Sequence, residues 1–206
     1  MHPASAFAEH DQDTLRAFVA ARGFAVLAAQ GEHGPVTAHA AVLITGERLR
    51  FHLSAANRMV PVLAVNPRLV AVITGPDAYI SPDWYAAADQ VPTWNYLAAE
   101  IEGDARPLDR AGAATLLDDL SAHFEAPLAP KPPWTRAKMT PARFEALLGG
   151  IQAYEVPIRR FEGTTKLSQN KPSEVARVAQ RLAERGDDGA REIARLMGRP
   201  ASMGEA

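Results

Sequence analysis

Three strand-like runs follow one another near the start of the chain with only tight turns between them. They are Phe24–Gln30, Pro35–Ile44 and Arg48–Leu53, joined by Gly31–Gly34 and by Thr45-Gly46-Glu47. A parallel pair needs a crossover of about a dozen residues or more, whereas a tight turn joins antiparallel strands. These runs are therefore expected to pair antiparallel. In the third, Leu49, Phe51 and Leu53 share one face while Arg50, His52 and Ser54 share the other. That two-residue alternation marks a strand with two unlike faces. Further strands are expected at Leu69–Thr74, Trp94–Glu102 and Ile151–Phe161. With few strand–helix–strand units, the order favours an α+β fold built on an antiparallel closed or split β-barrel.

Helices are expected around this sheet. Asp11 can cap a first one, with Leu15, Phe18 and Val19 on one face and Gly23 as a left-handed stop. Ala55–Val65 reads as a short helix that ends before Asn66-Pro67. Asp109 can cap a helix running to about Phe124, buried through Leu116, Leu117, Leu120 and Phe124. Thr140-Pro141 opens another, which Gly149 closes. Beyond Lys166–Asn170 the pattern is helical, with Asn170 or Ser173 as cap and Val175, Val178, Ala179 and Leu182 as one apolar face. A last helix covers Ala190–Met197. The expected division is a barrel domain over 1–165 and a helical extension over 166–206. Gly75–Pro92, rich in proline, aromatics and aspartate, has no period and reads as a long functional loop.

Composition removes several chemistries. The 206 residues contain no cysteine, so disulfides, thiolate metal sites and thiol nucleophiles are excluded. No apolar run reaches the roughly 20 residues of a membrane helix, and Met1–Asp13 lacks a signal-peptide pattern, so the cytoplasm is the expected compartment. The net charge of −2 argues against a broad DNA-binding surface. Thr164–Ala206 holds eight Lys/Arg against six Asp/Glu, and no helix-turn-helix pattern stands out.

Four constellations could carry chemistry. Phe51–Arg58 ends a strand and starts a helix, where Ser54, Asn57 and Arg58 could hold a phosphate or simply cap the turn. His39 and His52 lie on adjacent strands, but His2, His10, His33 and His123 show no ligand spacing, so no metal site is expected. Tyr79, Trp84, Tyr85 and Trp94 could stack on a flat heterocycle or fill the core, with Trp94-Asn95 best placed to face a ligand. Lys166-Leu167-Ser168-Gln169-Asn170 brings a cation, a hydroxyl and two amides into one connector, suited to a phosphate or a polyol. There is no phosphate-binding glycine loop and no nucleophile elbow. No catalytic residue is assigned.

The segments Gly75–Tyr85 (GPDAYISPDWY), Val91–Tyr96 (VPTWNY) and Lys166–Asn170 (KLSQN), with Met1-His2-Pro3, Gly34–Leu43 and Phe51–Asn57, resemble the PaiB-type FMN-binding negative transcriptional regulators. That family is similar to the pyridoxamine-phosphate-oxidase-like split barrels. The resemblance implies FMN as cofactor and a homodimer with FMN in the cleft between subunits. By position it implies that His39 with Ala40, Ala41 and Val42 lines the flavin, and that His52, Ser54 and Asn57 approach the phosphate. Trp94, Asn95, Lys166, Ser168, Gln169 and Asn170 would complete the pocket. The family arginine in this segment is replaced by Ala55, with Arg58 one helical turn on and expected to take its role. DNA is a partner the regulator resemblance implies. The alternatives are a flavin-dependent oxidoreductase of the same barrel class and a binder of haem or another flat ligand.

Overall fold

A computed structural model describes residues 3–198; Met1, His2, Arg199 and Glu205, which entered the sequence reading, lie outside them. The elements run β1 (Ala8–Glu9), α1 (Gln12–Arg22), β2 (Phe24–Gly31), β3 (Gly34–Thr45), β4 (Arg48–Ser54), α2 (Met59–Val65), β5 (Arg68–Ile80), β6 (Thr93–Asp104) and β7 (Arg106–Pro107). Then come α3 (Arg110–Glu125), α4 (Pro141–Leu148), β8 (Ile151–Lys166), α5 (Val175–Arg185) and α6 (Asp188–Met197). Hydrogen bonds order the strands β1-β8-β4-β3-β2-β5-β6, with β7 on β8. A further pairing between β8 and β6 returns the path onto itself. The expected hairpins are present: Val26 faces His39 across β2 and β3, and Val42 faces Phe51 across β3 and β4.

The chain divides into two compact units. Strands β5, β6 and β8 each contribute one segment to either unit. The larger unit comprises residues 12–73 and 100–161. Its core is set by the alternation in β4, where Leu49, Phe51 and Leu53 are buried. On the other face of the same sheet, Ala113, Leu116 and Leu120 of α3 pack with Leu148 of α4 and Ala153 of β8. Asp109 caps α3 by accepting from the Gly112 amide, and Thr140 caps α4 by accepting from that of Arg143. Gly23 takes the left-handed conformation that closes α1, at φ 59°.

The smaller unit comprises residues up to 11, 74–99 and from 162 on. Helices α5 and α6 form a hairpin whose apolar faces, Val178 and Leu182 on one and Ala190, Ile193 and Met197 on the other, close over Ala78, Ile80 and Tyr85. Gly186, at φ 81°, ends α5, and Asp187 caps α6 by accepting from the Ala190 amide.

Three local expectations need correction. Residues 75–80 of the presumed loop continue β5, so the irregular stretch begins only at Ser81. Alternate burial of Ala78 and Ile80 explains this, because apolar contacts on one face carry the strand through the glycine and proline before them. Helix α2 begins at Met59 rather than Ala55, since residues 55–57 form a turn tied by the Asn57 amide donating to the Ser54 carbonyl. Helix α5 begins at Val175 after Glu174, with no side-chain cap from Asn170 or Ser173, because the turns Lys171→Ser168 and Glu174→Lys171 lead into it by main-chain bonds.

Within the larger unit β6 and β8 approach very closely at Gly103. A Cβ there would lie 2.3 Å from the Pro157 carbonyl oxygen. Gly103→Ala should therefore lower the unfolding free energy by about 1–3 kcal/mol. The change is to be read from urea denaturation against Gly149→Ala, where the nearest atom is 3.5 Å away.

Candidate functional site

In the larger unit, β3 presents its residues alternately. His39 is exposed and stacks on exposed Phe24, ring centroids 6.3 Å apart, whereas Ala40 and Val42 point into the core. Of the four residues assigned to the flavin here, only His39 and Ala41 turn side chains away from that core. Ala40 and Val42 can offer only main-chain groups. His52 lies on the half-buried face of β4, paired with Ala153 of β8. Its Nδ1 is buried without a hydrogen-bond partner. Burial holds its pKa below the ordinary 6.5, so the ring is neutral near pH 7. Its neighbour Arg50 donates to Asp119 Oδ2 at 2.6 Å and to Thr45 Oγ1 at 2.7 Å.

The turn after β4 is organised by its own side chains. Ser54 Oγ accepts from the Ala56 amide at 3.3 Å, and Asn57 Oδ1 accepts from the Met59 amide at 2.9 Å. Both bonds belong to the turn that leads into α2, whose N-cap, Arg58, makes no side-chain capping bond. Arg58 occupies the position before α2 and is exposed, with no ion pair among the described residues. It leaves one uncommitted guanidinium beside a hydroxyl and an amide, a donor set that fits a phosphate.

In the smaller unit, Trp94 and Asn95 separate. Successive strand residues face opposite ways. Trp94 is half exposed and meets Tyr79 edge-on at 6.0 Å, while Asn95 is fully buried. Trp94 lines a cleft of about 330 Å³ with Thr74, Gly75, Asp77, Tyr96 and Leu97. Asn95 Nδ2 donates to Ser168 Oγ at 3.0 Å, and Ser168 Oγ lies 3.2 Å from Asn95 Oδ1. Ser168 sits at φ 62°. Gln169 braces the same joint: its Oε1 accepts from the Leu167 amide at 2.7 Å, and its Nε2 donates to the Ala6 and Thr165 carbonyls. The dense polar connector is thus largely occupied in holding a left-handed residue between β8 and α5. Lys166 donates to Thr93 Oγ1 at 2.5 Å, and Asn170 is exposed. Tyr85 is a core residue, and Trp84 packs against that core.

Two features escaped the sequence reading. One is Lys171, whose ammonium lies 4.1 Å from the centroid of the Tyr85 ring; five residues beyond Lys166 and next to a proline, it gave no periodic signal. The other is an apolar cavity of about 250 Å³ in the larger unit, lined by Leu117, Trp134, Met139, Phe144 and Ile151 among others. Its walls come from α3, α4, the start of β8 and residues 134–139, whose stretch between the two helices has no period to read.

The strand order and the helices around it make an antiparallel α+β fold of the split-barrel kind. Comparison with known proteins agrees. Residues 1–160 match the family described as "Putative FMN-binding domain", so the chain belongs to that family and its cofactor is FMN. It is 30% identical over 134 residues to the protease synthase and sporulation protein PAI 2 of Bacillus subtilis, an alignment covering 63% of this chain and only 61% of that relative. The fold is shared with the flavocytochrome Anf3 from Azotobacter vinelandii at TM-score 0.61 and 17% identity, over 81% of this chain and 72% of that one. It is also shared with the FAD and heme binding protein from Mycobacterium smegmatis at TM-score 0.57 and 16% identity, over 77% and 73%. No described helix is long and apolar enough to cross a membrane.

Two outcomes follow from this geometry. Asn95→Ala leaves Ser168 buried without its partner and should cost about 1–3 kcal/mol in thermal or urea unfolding. Trp94→Ala, at an exposed ring, should cost far less. For His52, the unfolded chain takes up its proton first as pH falls, because the folded pKa is depressed. That component of stability is complete above about pH 6.5, declines as pH falls towards the folded pKa, and levels off below it. His52→Asn should flatten this part of the unfolding free energy, measured by urea titration across that range.

Proposed function

We propose that this FMN-binding chain is a regulator of the PaiB type, working as a homodimer with the cofactor in the cleft between subunits. The observation that carries the regulator reading is the identity to the Bacillus subtilis protein, whose name ties it to protease synthesis and sporulation. Ser54, Asn57 and Arg58 take the FMN phosphate, with Arg58 replacing the arginine absent at Ala55. His39, the main chain of Ala40–Val42 and neutral His52 line the ring system. Asn95, Ser168 and Gln169 are engaged in bracing the connector from β8 to α5 in the smaller unit. Exposed Phe24 and Trp94 are apolar surface for a second copy to cover. When bound, FMN supplies the redox chemistry.

Direct DNA contact through the helical hairpin has little electrostatic support. Arg181 pairs with Glu184, Arg185 with Asp187, Arg191 with Asp188 and Arg195 with Glu192. Each of these arginines is neutralised on its own surface, which leaves few phosphates it could displace counterions from. A protein partner is the better reading.

Flavin fluorescence titration tests the cofactor site. Arg58→Ala should weaken FMN binding by about one to two decades, the loss of one charge-assisted bond of about 1.5–3 kcal/mol; unchanged affinity would remove Arg58 from the site. For the regulator reading, deletion of the gene should alter transcript levels, while purified protein leaves promoter DNA unshifted at low salt. Unchanged transcripts would sink the reading, and a salt-sensitive shift would replace the protein partner by DNA.

A further inference from the structure

We propose that Lys166 and Lys171, with Thr93 and Gln90, form a binding site in the smaller unit for the oxyanion of a small ligand other than FMN. Other partly buried cations in this chain have found carboxylates: Arg16 has Glu47, Arg50 has Asp119, and Arg160 has Glu100 and Glu102. The two lysines are half-buried as well, yet neither is ion-paired among the described residues. Each instead uses a neutral acceptor. Lys166 Nζ donates to Thr93 Oγ1 at 2.5 Å, and Lys171 Nζ to Gln90 Oε1. An ammonium has three protons to give, so each cation keeps donors uncommitted.

Their surroundings favour a guest anion over an internal one. Lys166 is pushed below the ordinary lysine pKa by burial and then by the charge of Lys171. The nearby carboxylate of Glu174 is already engaged by the Ala86 amide at 3.0 Å. Asp83 and Asp89, the other acids between Ser81 and Pro92, are exposed and pair with neither lysine. Beneath the ammonium groups lie two buried rings, Phe7 at 5.7 Å from Lys166 Nζ and Tyr85 at 4.1 Å from Lys171 Nζ. These rings restrict where the cations can go. Two held positive charges, unspent donors and an apolar floor recognise a phosphate or a carboxylate, either of which would relieve the repulsion between the lysines. Lys166, which the family resemblance groups with the flavin, is here given to this second ligand.

The inference does not rest on the flavin reading, and one experiment separates them. Thermal stability of the full chain is measured with inorganic phosphate, with acetate and with chloride at matched ionic strength, with and without saturating FMN. Phosphate or acetate should raise Tm saturably above chloride, and equally in both flavin states. Lys171→Gln and Lys166→Met should each weaken that effect at least about tenfold in anion concentration, while Arg58→Ala keeps it. A response to phosphate alone identifies a phosphate ligand, and to acetate alone a carboxylate. No stabilisation beyond chloride overturns the site, as does a response that Arg58→Ala removes. Loss of the anion effect when FMN is saturating would return the lysines to the flavin and overturn the second ligand. Should the lysine variants fail to fold, NMR of the wild-type lysine Cε signals replaces them: Lys166 and Lys171 must shift together on titration, and unmoved signals refute the proposal.

Discussion

Strand β4 is covered on both faces, and the larger unit is arranged around that fact. Leu49, Phe51 and Leu53 close one face, with Phe51 stacked on Tyr154 of β8 at 5.3 Å. The opposite face carries Arg50 and His52 beside the apolar packing of α3. A charge in such a place is costly unless it is paired. Arg50 is paired through Asp119 of α3, so the helix supplies a counter-charge as well as apolar cover. His52 has no such partner and meets the same constraint by staying neutral. Packing has thus prepared an uncharged imidazole, with one nitrogen free, on the strand that leads to Ser54 and Arg58.

The order of the antiparallel strands was legible because turns are short and burial alternates. Both signals are local, and residues 24–54 carry them without interruption. Residues 75–80 were misread for the opposite reason. Glycine and proline are punctuation in an isolated sequence, but here Ala78 and Ile80 are held by α5 and α6, more than 90 residues later in the chain. A contact that distant leaves no trace in a local pattern.

The candidate site was legible by residue type but less so by orientation. Trp94-Asn95 attracted interest as a pair, and so did Lys166–Asn170 as a group. Strand geometry sends Trp94 outward and Asn95 inward, and the inward residue turns out to be the partner that Ser168 needs. A polar cluster in a connector has two uses, recognition of a ligand or support of a strained backbone. The φ of Ser168 and the hydrogen bonds of Gln169 show the second use. Lys171 went unnoticed because its meaning depends on Tyr85 and Gln90, which the fold brings to it.

The distribution of paired and unpaired cations bears on how such a protein could pass a signal. In the helical hairpin, Arg181, Arg185, Arg191 and Arg195 pair with acids two or three residues away, while Arg177 has no ion pair among the described residues. The hairpin's inner surface is apolar and is buried on the end of β5 and on Tyr85. The hairpin is therefore a brace for Ala78, Ile80 and Tyr85. Arg58 in one unit and Lys166 and Lys171 in the other are also without ion pairs among the described residues. Anions arriving at these positions would bind with little reorganisation, since Lys166 and Lys171 are already held against buried rings and Ser54 and Asn57 have already shaped the turn beside Arg58.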